Sequence, residues 1–353
     1  MFDDVLKPDY ENSIYNLASS ISEILGVKKG KPLKNFEINE KLVFVLVDAL
    51  GENIFQKLGI NMEHETITSV FPSTTCTALT TLVTADKPAN HGIIGYIGYD
   101  KISGKLINLL DFKKEYSNKN EKESINRIFL NVTTITSVND KKIGMVLPFF
   151  SLNAPLVEFL AKNSEIYPYI NIWDGILNVY NLYQKKYDFI FYYIPYVDMI
   201  SHIYGPYSEA TILTARETLD IIIKYLKKID YDVIISADHG QINISEVKML
   251  NSTLIDRSIT PVRGDTRMHI FNFKNNLKFE DENYAIYEYE KIKDLFGGDG
   301  VIDKDISVGI ALNKNIYLTE ITKDENINYQ GSHSSILREE MEVPLINMRK
   351  VNI

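Results

Sequence analysis

The chain has 353 residues, 45% of them hydrophobic, and a formal net charge of −9; it can bury the core of one large α/β domain with room for an inserted lobe. The acidic balance excludes a general nucleic-acid binder, which needs a basic surface, and no apolar run reaches the ~18 residues of a membrane-spanning helix. A single cysteine, Cys76, excludes an internal disulfide and any cysteine-rich metal site. The first residues, from Met1 to Pro8, lack a basic region followed by an apolar stretch, so a soluble cytoplasmic protein is expected.

In chain order, residues 11–26 read as an amphipathic helix, with Ile14, Leu17, Ile21 and Leu25 on one face and Gly26 as its stop. Leu42 to Val47 is apolar on both faces, which predicts a central parallel strand. Ser73, Thr74 and Thr75 supply cap-type residues for a helix over 75–84. Residues 100–127 are rich in Lys, Asn, Ser and Glu and carry little periodicity. They are expected to form a cap excursion, around 97–127, over the rim of the site. Further strands are predicted at Ile143–Leu147, Phe189–Ile194, Val233–Ala237, His269–Phe273 and Val308–Leu312, and helices at 154–162, 209–228 and 284–295. The mixed stretch 250–330 leaves room for a small lobe. This alternation predicts a doubly wound α/β fold, with a mostly parallel central sheet, helices on both faces and an irregular cap.

Six residues stand where metal chemistry needs them. Asp48 closes an apolar run, and Asp238-His239 follows another. Asp198 and His202 are four apart, so they share one face of a helical turn. His333 lies in Gly-Ser-His-Ser. Taken singly, these read equally as a cap, a turn, a surface acid–imidazole pair and a surface histidine. Together they use three of only six histidines, and Tyr192 to Val197 is too apolar for a solvated face. Carboxylate plus imidazole, three ligands per ion, suits a catalytic zinc site with an open position.

The set resembles the alkaline phosphatase superfamily, most closely its type I phosphodiesterase/nucleotide pyrophosphatase branch. The resemblance rests on Val47-Asp48-Ala49, Phe71-Pro72-Ser73-Thr74-Thr75, His91-Gly92-Ile93, Asp198-x-x-x-His202-x-x-Gly205-Pro206, Ala237-Asp238-His239-Gly240 and Gly331-Ser332-His333, in the family's order. It implies two divalent ions, zinc by its ligand types. One would be held by Asp198, His202 and His333, the other by Asp48, Asp238 and His239. Thr75 would be the nucleophile, its oxygen bridging toward the second ion, and the substrate a small nucleotide-type phosphate ester. The chain departs from the branch where Cys76 and Thr77 replace Phe-Pro and Tyr96 replaces a phosphate-binding asparagine; Cys76 and Tyr96 are thus the candidate substrate contacts. Arg263 and Arg267 are the nearest arginines by pattern. A phosphomonoesterase or phosphonate hydrolase on the same residues is the first alternative. A non-catalytic metal-binding protein is the second, and the intact nucleophile and ligand set speak against it.

Overall fold

The computed structural model of the protein describes residues 4–34, 36–111, 119–138, 140–273, 279, 281–323 and 328–349. Its centre is a sheet of seven strands. These are β1 (Leu42–Val47), β2 (Glu65–Thr68), β3 (Ile143–Pro148), β4 (Glu165–Tyr169), β5 (Phe189–Ile194), β6 (Asp232–Ser236) and β7 (Glu342–Asn347). Their order across the sheet is β2-β7-β6-β1-β5-β3-β4. The run β6-β1-β5-β3-β4 is parallel throughout, whereas β7 is antiparallel to both β6 and β2. Every residue of β1, β3 and β6 is buried, as their unbroken apolar runs require when both faces of a parallel sheet are covered.

The helices Ile14–Ile24 and Thr75–Thr84 pack on each other, as do Ile172–Gln184 and Glu209–Leu226. The first begins at Ser13, where Asn16 reaches back to accept from the Ser13 N–H at 3.0 Å. No helix among the described residues is long and apolar enough to cross a membrane.

The stretch with little periodicity holds an antiparallel hairpin, Ile97–Asp100 with Lys105–Asn108, and a helix at Lys119–Ile128. Part of that stretch, residues 112–118, lies outside the described residues. Later in the chain, Arg263–Gly264, Met268–Phe271, Ser307–Ala311 and Tyr284–Glu288 form a four-stranded antiparallel sheet. Here one expectation is corrected: the helix predicted over 284–295 starts as a strand, and only Tyr289–Ile292 is α-helical. Tyr-Ala-Ile-Tyr-Glu holds two aromatic residues and a β-branched one, which suit a strand, and pairing with Ser307–Ala311 decides it. The pattern also does not predict β7, whose Pro344 argues against an interior strand.

Two glycines fix how closely the site-bearing loops approach. A Cβ on Gly240 would lie 2.1 Å from the Glu339 carbonyl oxygen, and one on Gly51 would lie 2.6 Å from the Gly240 Cα. The Gly240 N–H donates to the Glu340 carbonyl at 2.9 Å. The loops after β1 and β6 are thereby pressed against the segment leading into β7. Gly240→Ala should lower unfolding free energy by about 1–3 kcal/mol, the usual range for overpacking, measured by urea titration. An unchanged midpoint would mean that the loops have slack.

Candidate active site

The strands β6, β1 and β5 are neighbours, and each delivers one aspartate at its C-terminal end. Asp48 follows β1, Asp238 follows β6, and Asp198 sits in the helix Tyr196–Tyr204 that follows β5. This is the edge where ligands bind in open α/β sheets. His202 is one turn further along that helix, and His333 arrives from the segment before β7.

The structure brings all six side chains together. Asp238 Oδ2 and Asp48 Oδ1 lie 3.3 and 3.6 Å from His239 Nε2. Asp198 Oδ1 lies 3.3 Å from His202 Nε2 and 3.9 Å from His333 Nε2. The His239 and His333 rings stack with centroids 3.8 Å apart. Ligand atoms of Asp48, Asp238 and His239 all lie within 4.8 Å of one another, and so do those of Asp198, His239 and His333. His239 therefore stands in both groups, and the expected pair of separate triads is drawn into one cluster.

Two observations bear on whether a cation fits. Each imidazole has its Nδ1 on a backbone carbonyl: His202 on Gly331 at 2.9 Å, His239 on Gly240 at 3.0 Å and His333 on Ser73 at 2.9 Å. That fixes the tautomer and leaves Nε2 as a lone-pair donor facing the cluster, as a histidine needs in order to ligate a metal. Asp48 Oδ1 and Asp238 Oδ2 are buried with no hydrogen-bond partner, a condition that a bound cation relieves. The residues fit divalent metal.

Electrostatics says the same. Burial, then the charges of Asp238 and Asp198, push the Asp48 carboxyl well above the usual range. Burial raises Asp238 to about 6 and lowers His239 and His333 to about 4 each. Burial also works to raise Asp198, but the His202 imidazole beside it holds it below the usual range.

Three adjacent hydroxyls go three ways. Ser73 donates to the Ser335 carbonyl at 2.8 Å, and Thr74 donates to Asp265 Oδ2 at 2.8 Å. Thr75, the first residue of the helix Thr75–Thr84, has its Oγ1 3.2 Å from His239 Nε2. Of the three, Thr75 faces the cluster.

The remaining candidates sit in different surroundings. Cys76 is fully buried in the main hydrophobic core, where burial pushes its thiol up; it offers no face to a ligand. Tyr96 packs its ring against the same core. Arg267 is fully buried and bonds Glu340 through Nε at 2.8 Å and Nη2 at 3.0 Å, with its Nη1 on the Asn313 and Asn315 carbonyls. Fully buried and held by these four hydrogen bonds, it is closed off from substrate. Arg263 instead lies over the Tyr99 ring, 4.9 Å from its centroid.

Three residues were not singled out from the sequence. Tyr193 donates to Asp48 Oδ2, Gln241 donates to Asp198 Oδ1, and Asp265 receives Thr74. Gln241 stands two places after His239 and Tyr193 lies in the apolar stretch before Asp198, so both were near a motif, whereas Asp265 was not. Ala49 and Ser334, each following a candidate ligand, hold φ values of 59° and 96°, a left-handed conformation that non-glycine residues adopt sparingly and mostly where function over-determines it.

The model of the type I phosphodiesterase / nucleotide pyrophosphatase family matches residues 54–327. The chain belongs to this family. It is a hydrolase. No curated protein matches it. Among solved structures, murine ectonucleotide pyrophosphatase/phosphodiesterase 5 is similar with a TM-score of 0.65 at 20% identity, over 86% of this chain and 87% of that one. Phosphonoacetate hydrolase from Sinorhizobium meliloti 1021, solved with phosphonoacetate, is similar with a TM-score of 0.63 at 15% identity, over 88% of this chain and 92% of that one. These likenesses carry the fold.

Folding raises the Asp48 and Asp238 pKa values, so the metal-free fold is favoured when they are protonated. Their contribution is lost as pH rises from the ordinary 3.8 through about 6, while the lowered imidazoles of His239 and His333 contribute in the opposite sense, lost as pH falls from the ordinary 6.5 through about 4. A cation needs both carboxylates and imidazoles unprotonated, so its binding is favoured as pH rises. Zinc should therefore raise Tm more at about pH 8 than at about pH 5, measured by scanning calorimetry against chelator-treated protein. Equal increments at both pH values would mean that these carboxylates do not hold the ion.

Proposed function

We propose that the protein hydrolyses phosphodiester or pyrophosphate bonds of small nucleotide-type molecules, with two divalent cations and a covalent phosphothreonine at Thr75. The observation that carries this reading is the Thr75 hydroxyl at a helix start, 3.2 Å from His239 Nε2, where Asp48 and Asp238 each leave a carboxylate oxygen unpartnered. An inactive threonine-to-alanine form of the murine enzyme, solved in complex with AMP, supports it.

In this reading Asp198, His202 and His333 would hold one cation and Asp48, Asp238 and His239 the other, zinc being suited to mixed carboxylate and imidazole donors. So held, the cations supply positive charge to the attacking and leaving oxygens of an in-line displacement. Thr75 Oγ gives up its proton and attacks phosphorus, and the bond to the leaving oxygen breaks as the new P–O bond forms, that oxygen leaving with a proton taken from water. The free N–H groups of the first helical turn orient the phosphoryl oxygens. Water then cleaves the phosphothreonine and restores the hydroxyl.

Thr75→Ala should retain metal and fold yet lose at least ~10³-fold in kcat, because the covalent step disappears. Thr74→Ala, whose hydroxyl is spent on Asp265, should cost roughly tenfold. Equal losses at the two positions would overturn the assignment.

A monoester carries one more negative charge than a diester, and that charge needs a partner in a water-poor site. Arg267 is committed to Glu340, and no arginine among the described residues pairs with a carboxylate of the cluster. The expected result is a higher kcat/KM for bis-p-nitrophenyl phosphate than for p-nitrophenyl phosphate. A preference for the monoester by about tenfold, or ~1.4 kcal/mol, would transfer the reading to a phosphomonoesterase.

A further inference from the structure

A cavity of about 330 Å³ lies between the hairpin of residues 97–108, the helix Lys119–Ile128 and the edge of the four-stranded sheet. None of its lining residues belongs to the metal-ligand cluster. Its volume is at the lower end of small-molecule sites, roughly 300–1,000 Å³.

Its chemistry is uneven in a useful way. The lining holds three cations, Lys101, Arg127 and Arg263, against two carboxylates, Asp100 and Asp303. Both carboxylates are taken. Arg127 bonds Asp100 through Nε at 3.0 Å and Nη2 at 2.6 Å, and Lys101 pairs with Asp303 at 2.7 Å. Arg263 has no ion-pair partner among the described residues. Its one hydrogen bond there runs to Thr260 Oγ1 at 3.3 Å. Its guanidinium rests on the Tyr99 ring, and burial lowers its pKa to about 10, still charged at neutral pH. A half-buried cation over an aromatic face, with donors to spare, is a receptor for an anion.

The walls are apolar, with Ile93, Ile97 and Ile302 among them. Around the mouth, Ile102, Leu130 and Val301 are 80%, 76% and 47% exposed. Large aliphatic side chains gathered at the rim of one cavity mark a surface that gains by being covered.

We propose that this cavity is a second binding site, for an organic anion that joins one charged group to an apolar body of about two rings. The charged group sits on Arg263 and the apolar body between the isoleucine walls. Because the site shares no residue with the metal cluster, it stands or falls independently of the reaction proposed above.

Isothermal titration calorimetry with 2-naphthoate on the intact, zinc-loaded protein tests it. One molecule per chain should bind, and saturating inorganic phosphate, which would compete at the metal cluster, should not displace it. Arg263→Met should weaken binding at least about tenfold, the loss of a charge-assisted contact, while diester hydrolysis stays within about twofold. Val301→Trp should block binding from the rim without touching the core, which guards against misfolding of the arginine variant. Uncharged 2-naphthol should bind more weakly by a similar factor. No binding, displacement by phosphate, equal affinity for the neutral compound, or indifference to both variants would overturn the proposal.

Discussion

Asp48, Asp198 and Asp238 are brought to one place by neighbouring parallel strands, and carboxylates so placed, deprived of water, repel one another. Adjacent strands lie ~4.8 Å apart, so residues just past their C-terminal ends have little freedom to separate. Burial, with the charge of neighbouring carboxylates added to it, raises the pKa values of Asp48 and Asp238, and one oxygen of each is left without a hydrogen-bond partner. Much of the surrounding structure answers it. Three histidines have their outer nitrogens fixed by carbonyls so that the inner ones face the carboxylates, and Tyr193 and Gln241 each donate to one of them. Such an arrangement is costly without cations and well satisfied with them.

The small four-stranded sheet takes part in the site although it supplies no ligand. Three consecutive residues at the turn of its first hairpin each grip a different segment. Asp265 holds Thr74, the neighbour of Thr75. Thr266 meets Ser332, the neighbour of His333, at 3.0 Å. Arg267 forks onto Glu340, which also accepts from the Ser335 and Leu337 N–H groups. Removing one partner of so deeply buried a pair typically costs 3–5 kcal/mol, because the other charge is stranded. An arginine that looks available in the sequence is thus a fastener, and the hairpin turn holds the threonine turn and the His333 segment in register.

The departures from the family pattern acquire a structural meaning. Position 76, where the branch carries an aromatic residue, is occupied by a cysteine turned into the core, and Tyr96 leans on that same core.

Much was legible in the chain itself. Unbroken apolar runs are buried on both faces, so Leu42–Val47 and Phe189–Ile194 could be read as interior strands to the residue. The start of the helix Thr75–Thr84 was legible from its hydroxyl-rich turn, with Thr74 at the N-cap, although no side chain caps it and the Thr74 hydroxyl goes to Asp265 instead. The candidate metal-ligand set was legible too, because aspartates ending apolar runs and histidines in short fixed motifs are local patterns. What the sequence could not decide depends on contacts between residues far apart in the chain. Tyr284–Glu288 became a strand because Ser307–Ala311 was there to pair with it. His239 came to sit between two groups of ligands because the loops after β1 and β6 close on the segment before β7. Thr74 and Thr75 are chemically alike, and only Asp265, 191 residues away from Thr74, separates their roles. Periodicity and caps are set by neighbours within a few residues, whereas the direction of a hydroxyl or the partner of an arginine is set by whatever the fold brings against it.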